Sequence, residues 1–271
     1  MKIVPVLLVL MVCFCLLSCE KVIDVKLNDS EKMYIIEGEI NDMPGPYQVR
    51  VSRSANFNDP NGFIGESSAV VTLFDNTAKR SERLKETSPG IYVTSQIQGK
   101  RGHEYKLEVT AGGRLFSATS VMPKESVQLE KLYTQVSDFN DEDIYIVPVY
   151  TDPVGIGNYY RLRQYVNGKF IPGSIARSDE ATDGNTMVRA LIYQVDEENG
   201  RWRIKRGDRI RAELQCVDKA VYDYFRTFEN TTTANTSNPS NPLTNLSGGA
   251  LGIFNACTVS FLEAVVESEN Y

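Results

Sequence analysis

Short runs of β-forming residues, separated by turn residues, fill the first half of the chain. The pattern predicts strands at 33–40, 47–54, 69–74, 91–95, 105–110 and 115–121, with a weaker strand at 79–84. Turn segments such as Pro44-Gly45-Pro46 and Ser88-Pro89-Gly90 stand between them. Seven short strands at this spacing are typical of an immunoglobulin-like β-sandwich. We therefore predict such a sandwich over residues 32–123.

Tyr105 is the residue of this half with the most specific structural prediction. It lies just inside the penultimate predicted strand, where Tyr105, Leu107 and Val109 share one face. A tyrosine at this point forms a tyrosine corner in immunoglobulin-like folds, with its hydroxyl bonded to backbone a few residues upstream. We expect a structural role for Tyr105.

The second half continues with strands and then changes period. Strands are predicted at 127–136, 144–150, 159–166, 187–194, 201–205 and 209–216. In the last of these, apolar residues at 210, 212, 214 and 216 alternate with Arg209, Arg211, Glu213 and Gln215, as in a half-buried antiparallel sheet. Apolar residues then recur at helical spacing, which predicts an amphipathic helix over 217–229. A polar loop at 230–245 and a strand at about 252–266 follow.

These elements predict an all-β fold. An N-terminal immunoglobulin-like β-sandwich is followed, from residue 124 to 271, by a second antiparallel β domain that carries the helix. The boundary is placed near Pro123, where the last strand of the sandwich ends.

The first residues are typical of an export signal. Lys2 precedes an uncharged, apolar run at 3–17 that is too short to span a bilayer before Glu20. Leu16-Leu17-Ser18-Cys19 matches a bacterial lipobox, so we predict a signal peptide at 1–18, lipidation of Cys19, a tether at 19–31 and attachment to a membrane through the lipid. The alternative is a plain secretory signal with an incidental cysteine.

Charge excludes some partners. Removing residues 1–18, which contain Lys2 and no acidic residue, leaves 253 residues and changes the formal charge from −6 to −7. Such a surface repels nucleic acid and anionic lipid. We therefore predict no nucleic-acid partner and a membrane contact made by acyl chains.

Processing leaves two cysteines beyond Cys19, at Cys216 and Cys257. An exported protein occupies a compartment that permits disulfides, so a bridge between them is one possibility. Two buried free thiols are the other, because a chain of this length can bury a core without a covalent link.

Candidate chemistry is sparse. His103 is the only histidine, which excludes histidine triads and multi-histidine metal sites. An acidic run has the oxygen ligands that calcium prefers, but Asp143 stands where an EF-hand loop needs glycine, so a solvated loop is the better interpretation. That run comprises Asp138, Asn140, Asp141, Glu142 and Asp143. We predict no catalytic residue, no metal site and no cofactor.

Two further possibilities stay open. The 35 acidic residues contain many potential carboxylate pairs of the kind that glycosidases use. Tyr159, Tyr160 and Tyr165 form the nearest approach to an aromatic cluster for a ligand, and core packing explains them at least as well.

Several segments resemble a known family of bacterial lipoproteins. They are the lipoprotein start, the segments 34–40, 46–54, 90–92, 102–107 and 158–162, Gly207-Asp208, the helix with Tyr222, Tyr224 and Phe225, and above all 241–254, which reads Asn-Pro-Leu-Thr-Asn-Leu-Ser-Gly-Gly-Ala-Leu-Gly-Ile-Phe. Together they are similar to the Bacteroidota family called domain of unknown function 4249. Ile253 departs from the aromatic residue expected before Phe254.

The resemblance implies a location and a role. It implies an outer-membrane lipoprotein, on the periplasmic or the cell-surface side, often found beside TonB-dependent receptors in nutrient uptake; it supplies no catalytic residues and no ligand. We therefore expect a lipid-anchored binding or accessory protein that contacts such a receptor. The alternatives are a surface-polymer hydrolase with a carboxylate pair and a structural component of the envelope. Gly248, Gly249 and Gly252 predict close backbone approach at the entry to the final strand.

Overall fold

The computed structural model describes residues 32–54, 64–138, 142–173, 175–193, 202–232 and 241–267. Lys32–Tyr271 forms one compact unit. Within the described ranges the chain forms seventeen strands and one helix, α1 (Lys219–Thr232). The strands are β1 (Tyr34–Asn41), β2 (Gln48–Arg53), β3 (Ile64–Gly65), β4 (Val70–Asp75), β5 (Arg80–Arg83), β6 (Lys85–Ser88), β7 (Ile91–Val93), β8 (Glu104–Ala111), β9 (Arg114–Val121), β10 (Lys131–Val136), β11 (Ile144–Thr151), β12 (Tyr159–Val166), β13 (Lys169–Phe170), β14 (Ile175–Ser178), β15 (Thr186–Val188), β16 (Arg209–Val217) and β17 (Leu251–Val265).

A ten-stranded sheet runs through the centre of this unit. Its main order is β13-β12-β16-β17-β1-β2-β7-β6, with β14 added to β12 and β3 added to β2. The last strand, β17, pairs antiparallel with β16 and parallel with β1. The predicted all-β class with one helix is confirmed, and the parallel β1–β17 pair is an addition that the sequence pattern does not indicate.

One face of β17 packs against two hydrophobic cores in succession. Phe254 and Ala256 belong to a core formed with β4, β8 and β9 of a four-stranded sheet, β5-β4-β8-β9. Further along, Leu262 and Ala264 pack against a second core formed with β11 of the three-stranded sheet β10-β11-β15. Because side chains of a strand alternate between faces, these even-numbered residues place both cores on the same face of the central sheet.

The opposite face carries α1. Val221 and Phe225 of the helix pack with Ile253, Cys257 and Val259, which are odd-numbered residues of β17. Asp218 caps the helix, because its Oδ1 accepts the backbone N–H of Val221 at 2.9 Å. Its Oδ2 accepts from Ser120 Oγ at 2.6 Å and from Val121 N at 3.0 Å, so the same carboxylate ties the helix to β9.

The predicted boundary at residue 123 falls between elements that share the central sheet. β1, from the first half, is flanked by β17, from the second, over seven paired positions from Ile35↔Leu251 to Asn41↔Cys257. The immunoglobulin-like sandwich at 32–123 therefore has a strand from residues 124–271 in its sheet. The division into two domains stays a prediction about folding units.

The observed strands follow the predicted ones closely in the first half. The tyrosine corner is confirmed, since the buried Tyr105 hydroxyl accepts the Lys100 N–H at 2.8 Å. The predicted strand at 201–205 is not a strand over its described residues 202–205. Trp202 there has a φ of 74°, outside the β region, and the N–H of Asp208 closes a turn onto the Lys205 carbonyl at 3.1 Å.

The glycines around the start of β17 permit close approach between backbone segments. Gly252 has a φ of +101°, and a Cβ atom there would lie 2.1 Å from the Ile36 carbonyl oxygen. A Cβ on Gly248 would lie 2.5 Å from the Leu115 oxygen. The Asn245 side chain bonds both backbone groups of Phe254, at 2.8 and 3.1 Å. The 241–254 segment thus owes its residue pattern to packing against β1, β9 and β17.

Candidate ligand-binding face

The outward face of the central sheet is polar and aromatic beside α1. We call it the polar face. In register, Arg161 lies opposite Gln215, Arg163 opposite Glu213 and Tyr165 opposite Arg211. The pairing continues across β17, where Glu213 lies opposite Phe261 and Arg211 opposite Glu263. The residues of the polar face are Arg161, Arg163 and Tyr165 of β12, Arg209, Arg211, Glu213 and Gln215 of β16, Asn255, Phe261 and Glu263 of β17, and Glu37 and Glu39 of β1.

Glu213 is the centre of an ion-pair network on this face. Its Oε1 accepts from Arg163 Nη1 and its Oε2 from Arg211 Nη2, both at 3.2 Å. The Gln215 amide donates to the same Oε1 at 3.0 Å. Because Glu213 is buried, its two arginine partners are needed to offset the cost of removing its charge from water.

Glu39 organises the neighbouring part of the network. It accepts from Gln215 Nε2 at 3.2 Å and from Asn255 Nδ2 at 3.3 Å. The Arg161 Nη1 lies 3.5 Å from the same carboxylate and donates to Gln215 Oε1 at 3.2 Å. These contacts link β1, β12, β16 and β17 through side chains, so the network has a fixed geometry.

Aromatic rings line the network. The Arg161 guanidinium lies 3.7 Å from the centroid of the Phe225 ring on α1, and the Tyr224 and Phe228 rings stack with centroids 6.2 Å apart. On the other side, Arg163 lies 5.4 Å from the ring centroids of both Tyr165 and Phe170. Arginine on an aromatic face is held flat, with its N–H groups directed outward in its own plane.

Two cavities lie along the polar face. The first, of about 730 Å³, lies between α1 and β1, and its lining includes Glu39, Arg161, Arg163, Phe170 and Phe228. The second, of about 700 Å³, is lined by Tyr165, Asn167, Gly168, Gly207, Arg209, Arg211, Glu263 and Val265. Both volumes lie in the range of small-molecule sites.

Burial shifts the ionisation of several groups here. It lowers the pKa of Arg161, against the opposing effect of Glu39. Burial acts the same way on Arg163, but Glu39 and Glu213 outweigh it and the pKa of Arg163 is raised. Burial raises the pKa of Tyr165 and of Tyr224 to about 12, so both phenols stay neutral donors at physiological pH. The face thus offers charged and neutral hydrogen-bond donors, carboxylate acceptors and flat apolar rings.

Of the two possibilities left open for Cys216 and Cys257, the structure has the two free thiols and not the disulfide. Cys216 and Cys257 are both free and buried. Cys216 lies opposite Thr258, the neighbour of Cys257, and successive residues of a strand point to opposite faces. Cys216 accordingly packs in the second core and Cys257 beneath α1, where burial raises the pKa of both thiols.

The other sequence candidates have structural partners. His103 Nδ1 lies 3.0 Å from both oxygens of the buried Asp75 carboxylate, where the inner strand β4 of the four-stranded sheet ends and its neighbour β8 begins. In the acidic run, Glu142 and Asp143 form ion pairs with Arg203. Asn140 and Asp141, like Cys19 with its predicted lipidation, lie outside the described residues.

A different acidic cluster is brought together by the fold. One oxygen each of Asp152, Asp179 and Asp183 lies within 4.8 Å of the others. Their carboxylates already accept hydrogen bonds from the N–H groups of Gly184, Gly157 and Gly155 respectively, at 3.0, 3.0 and 2.6 Å. These bonds hold the loops that flank β12 and β14, which gives the cluster a structural role.

The tyrosines divide by face. Tyr160 is buried and donates its hydroxyl to Asp152, whereas Tyr165 lines the second cavity. Tyr159 packs on Tyr222 of α1, with ring centroids 5.1 Å apart. The alternation in β16 is visible in the sequence, but the polar face was not predicted from it. The available signal was the paired arginines, at positions 161 and 163 and at 209 and 211, each pair separated by one apolar residue.

This arrangement defines an all-β protein whose central sheet has a polar, aromatic-lined outer face beside two cavities. The chain belongs to the family described as Domain of unknown function (DUF4249), whose model matches residues 20–262. This confirms the family that the sequence segments resemble. A comparison with curated proteins finds no match. Among the described residues, no helix has the length and apolar character needed to cross a bilayer.

Proposed function

We propose that this protein is a lipid-anchored outer-membrane binding protein, and that the polar face is where it holds its ligand. The observation that carries the proposal is the polar network around Glu213 and Glu39, which is largely buried yet opens into a cavity of about 730 Å³. Buried ion pairs add little to stability over apolar packing, so their presence beside a cavity favours recognition.

Ligand retention tests this role. Protein purified from its own cells in detergent is expected to carry a small molecule that native mass spectrometry detects, and Arg163→Met is expected to lose it. Tyr133→Phe, an exposed change on β10 away from the polar face, serves as the control and should retain the molecule. Equal retention by both variants, or no bound molecule in any preparation, contradicts a binding role for this face.

The anchor and the receptor are part of the same proposal. The lipobox at Cys19 supports attachment to the outer membrane, and family context supports a TonB-dependent receptor as partner. Val154 and Ile156, 90% and 70% exposed, lie on a loop that Asp179 holds in place and offer an apolar contact. Cys19→Ser is expected to remain unprocessed or to leave the membrane fraction; a mature, lipid-modified product would contradict the anchor.

Site-specific crosslinking tests the partner. A photoreactive residue at position 156 is expected to capture an outer-membrane receptor in intact cells, whereas the same residue at position 115, also exposed, should not. If neither position captures an outer-membrane protein, the receptor contact is rejected.

A hydrolase is the second candidate, favoured by the two carboxylates that share Arg163. Glu39 and Glu213 lie 3.8 and 3.2 Å from its Nη1, so two carboxylates meet at an arginine that lines the first cavity together with Glu39. Glu39→Gln and Glu213→Gln should each abolish turnover of a surface polysaccharide if the pair is catalytic. Unchanged turnover, or none in the parent protein, removes this candidate.

A further inference from the structure

The two cavities of the polar face share a wall made of three side chains. Arg163 and Phe170 line the first cavity, and Tyr165 lines the second. The Tyr165 and Phe170 rings have centroids 5.6 Å apart, and the Arg163 guanidinium lies 5.4 Å from each. The cavities are therefore neighbouring parts of one surface.

This surface extends both along the strands and across them. Arg161 and Tyr165 are four residues apart on β12, which corresponds to about 13 Å along the strand. Across the sheet, β12, β16, β17 and β1 are successive neighbours, which adds roughly 14 Å at the usual strand spacing. A ligand that contacts both cavities has to be extended.

Unused donors lie in the middle of this surface. The Nε–H groups of Arg163 and Arg211 are buried and have no hydrogen-bond partner within the described part of the chain. Glu213 holds both arginines through other nitrogens, so both Nε groups are fixed in position. A buried donor without a partner is costly, so the positions of these two arginines are not those that stability alone would favour.

The charges of the surface disfavour a polyanion. Arg161, Arg163 and Arg211 alternate with Glu39, Glu213 and Glu263, so positive and negative groups largely cancel. A polyanion would meet the three glutamates, whereas hydroxyl groups can donate to carboxylates and accept from guanidinium groups. An aromatic ring in each cavity, Phe228 in the first and Tyr165 in the second, suits the apolar C–H faces of sugar rings.

We infer that the ligand is a neutral, linear oligosaccharide that lies across both cavities, with its ring hydroxyls on the arginine–glutamate network. This inference rests on the proposed binding function of the polar face. In it, the first cavity takes a short segment of the chain and the second cavity takes the extension past Arg163.

Calorimetric titration of the full-length protein in detergent tests the inference. The probes are neutral hexasaccharides of glucose, mannose and xylose, the disaccharide of each, and hexagalacturonate as the acidic comparison. A neutral hexasaccharide is expected to bind at least tenfold more tightly than its disaccharide. Phe228→Ala is expected to weaken both by about tenfold, and Tyr165→Ala to weaken the hexasaccharide alone by about tenfold. Tyr133→Ala, a matched exposed aromatic on β10, should change neither.

The possible outcomes separate this inference from the binding function. Equal affinity for both lengths, with no effect of Tyr165→Ala, rejects the extended site but leaves the binding function in place. Preference for hexagalacturonate rejects the neutral sugar. If no saccharide binds, the inference is rejected, and the ligand retention described above decides separately whether the polar face binds anything. Circular dichroism of each variant identifies a loss of folding.

Discussion

The residues of β17 alternate between two faces, and the two faces have different roles. On one face, Phe254 and Ala256 complete an apolar core. On the other face, Asn255 bonds to Glu39 and Gln215, and Phe261 supports Arg211 at 3.9 Å. Apolar burial gains free energy wherever it occurs, whereas buried charges need partners at fixed positions. The face with Phe254 and Ala256 therefore stabilises the fold by apolar burial. The opposite face, outside the part that α1 covers, keeps a geometry that stability alone does not require.

Removing a ring from the apolar face should have the largest effect. Phe254 is 1% exposed, so Phe254→Ala leaves a cavity and is expected to lower the free energy of unfolding by about 3–5 kcal/mol. Phe261→Ala removes the same side chain from the opposite face, where it is 39% exposed, and should cost about 1 kcal/mol or less. Urea denaturation measures both. Equal losses in the free energy of unfolding would contradict a different contribution of the two faces to stability.

Breaking the polar network should come next. Glu213→Leu leaves Arg163 and Arg211 without their shared carboxylate and is expected to cost about 3 kcal/mol. Adding Arg163→Met and Arg211→Leu to the same chain replaces the set with apolar residues and should restore most of the loss. Denaturation of the single and triple variants measures this. A triple variant less stable than the single one would show that the network does stabilise the fold.

Glu82, a buried carboxylate on β5 of the four-stranded sheet, gives a pH-dependent test. Burial raises the pKa of Glu82, but hydrogen bonds from Ile97, Ser95 and Gln96 outweigh it, so its pKa lies below the ordinary 4.5. The stability it contributes is therefore present above pH 4.5 and is lost as the pH falls further. Glu82→Gln should cost about 2 kcal/mol at pH 7, with a smaller difference at pH 3. The exposed Glu125→Gln should leave stability unchanged at both pH values, and a constant difference for Glu82→Gln would contradict the assignment.

The smallest expected effect is at the tyrosine corner. Tyr105→Phe keeps the packing but leaves the Lys100 N–H without its 2.8 Å acceptor, at a cost of about 1 kcal/mol. Tyr133→Phe, which is 45% exposed, should cost less than half as much. Thermal denaturation of the pair measures the difference. Indistinguishable midpoints would mean that the corner is filled by packing alone.

Strand positions were predictable because a strand has a period of two that the sequence shows directly. Residues 105–110 and 115–121, predicted as strands, lie in β8 and β9. Pairing was not predictable in the same way. The β1–β17 contact joins Ile35 to Leu251, and no local pattern reports a partner so far away. The same limit hid the polar face, because Arg163 and Arg211 become neighbours only through Glu213.

Close backbone approach at the start of β17 was predictable from the glycines there. Gly252 has a positive φ, which residues with a side chain rarely adopt. The cysteine outcome was not. Whether Cys216 and Cys257 can bond depends on the register of β16 and β17, in which Cys216 faces Thr258. A shift of one residue would change the face, and sequence spacing contains no register.

The parallel pairing of β1 with β17 sets a condition on the order of folding. Strand β1 is among the first segments of the described chain to emerge, yet one of its edges stays unpaired until residues 251–257 arrive. The central sheet can therefore close only after nearly all of the chain has been delivered, and the exposed edge needs protection from aggregation during that interval. A chain ending at residue 250 is expected to stay protease-sensitive throughout. Pulse proteolysis of the shortened and full-length chains during synthesis measures how late the native state forms.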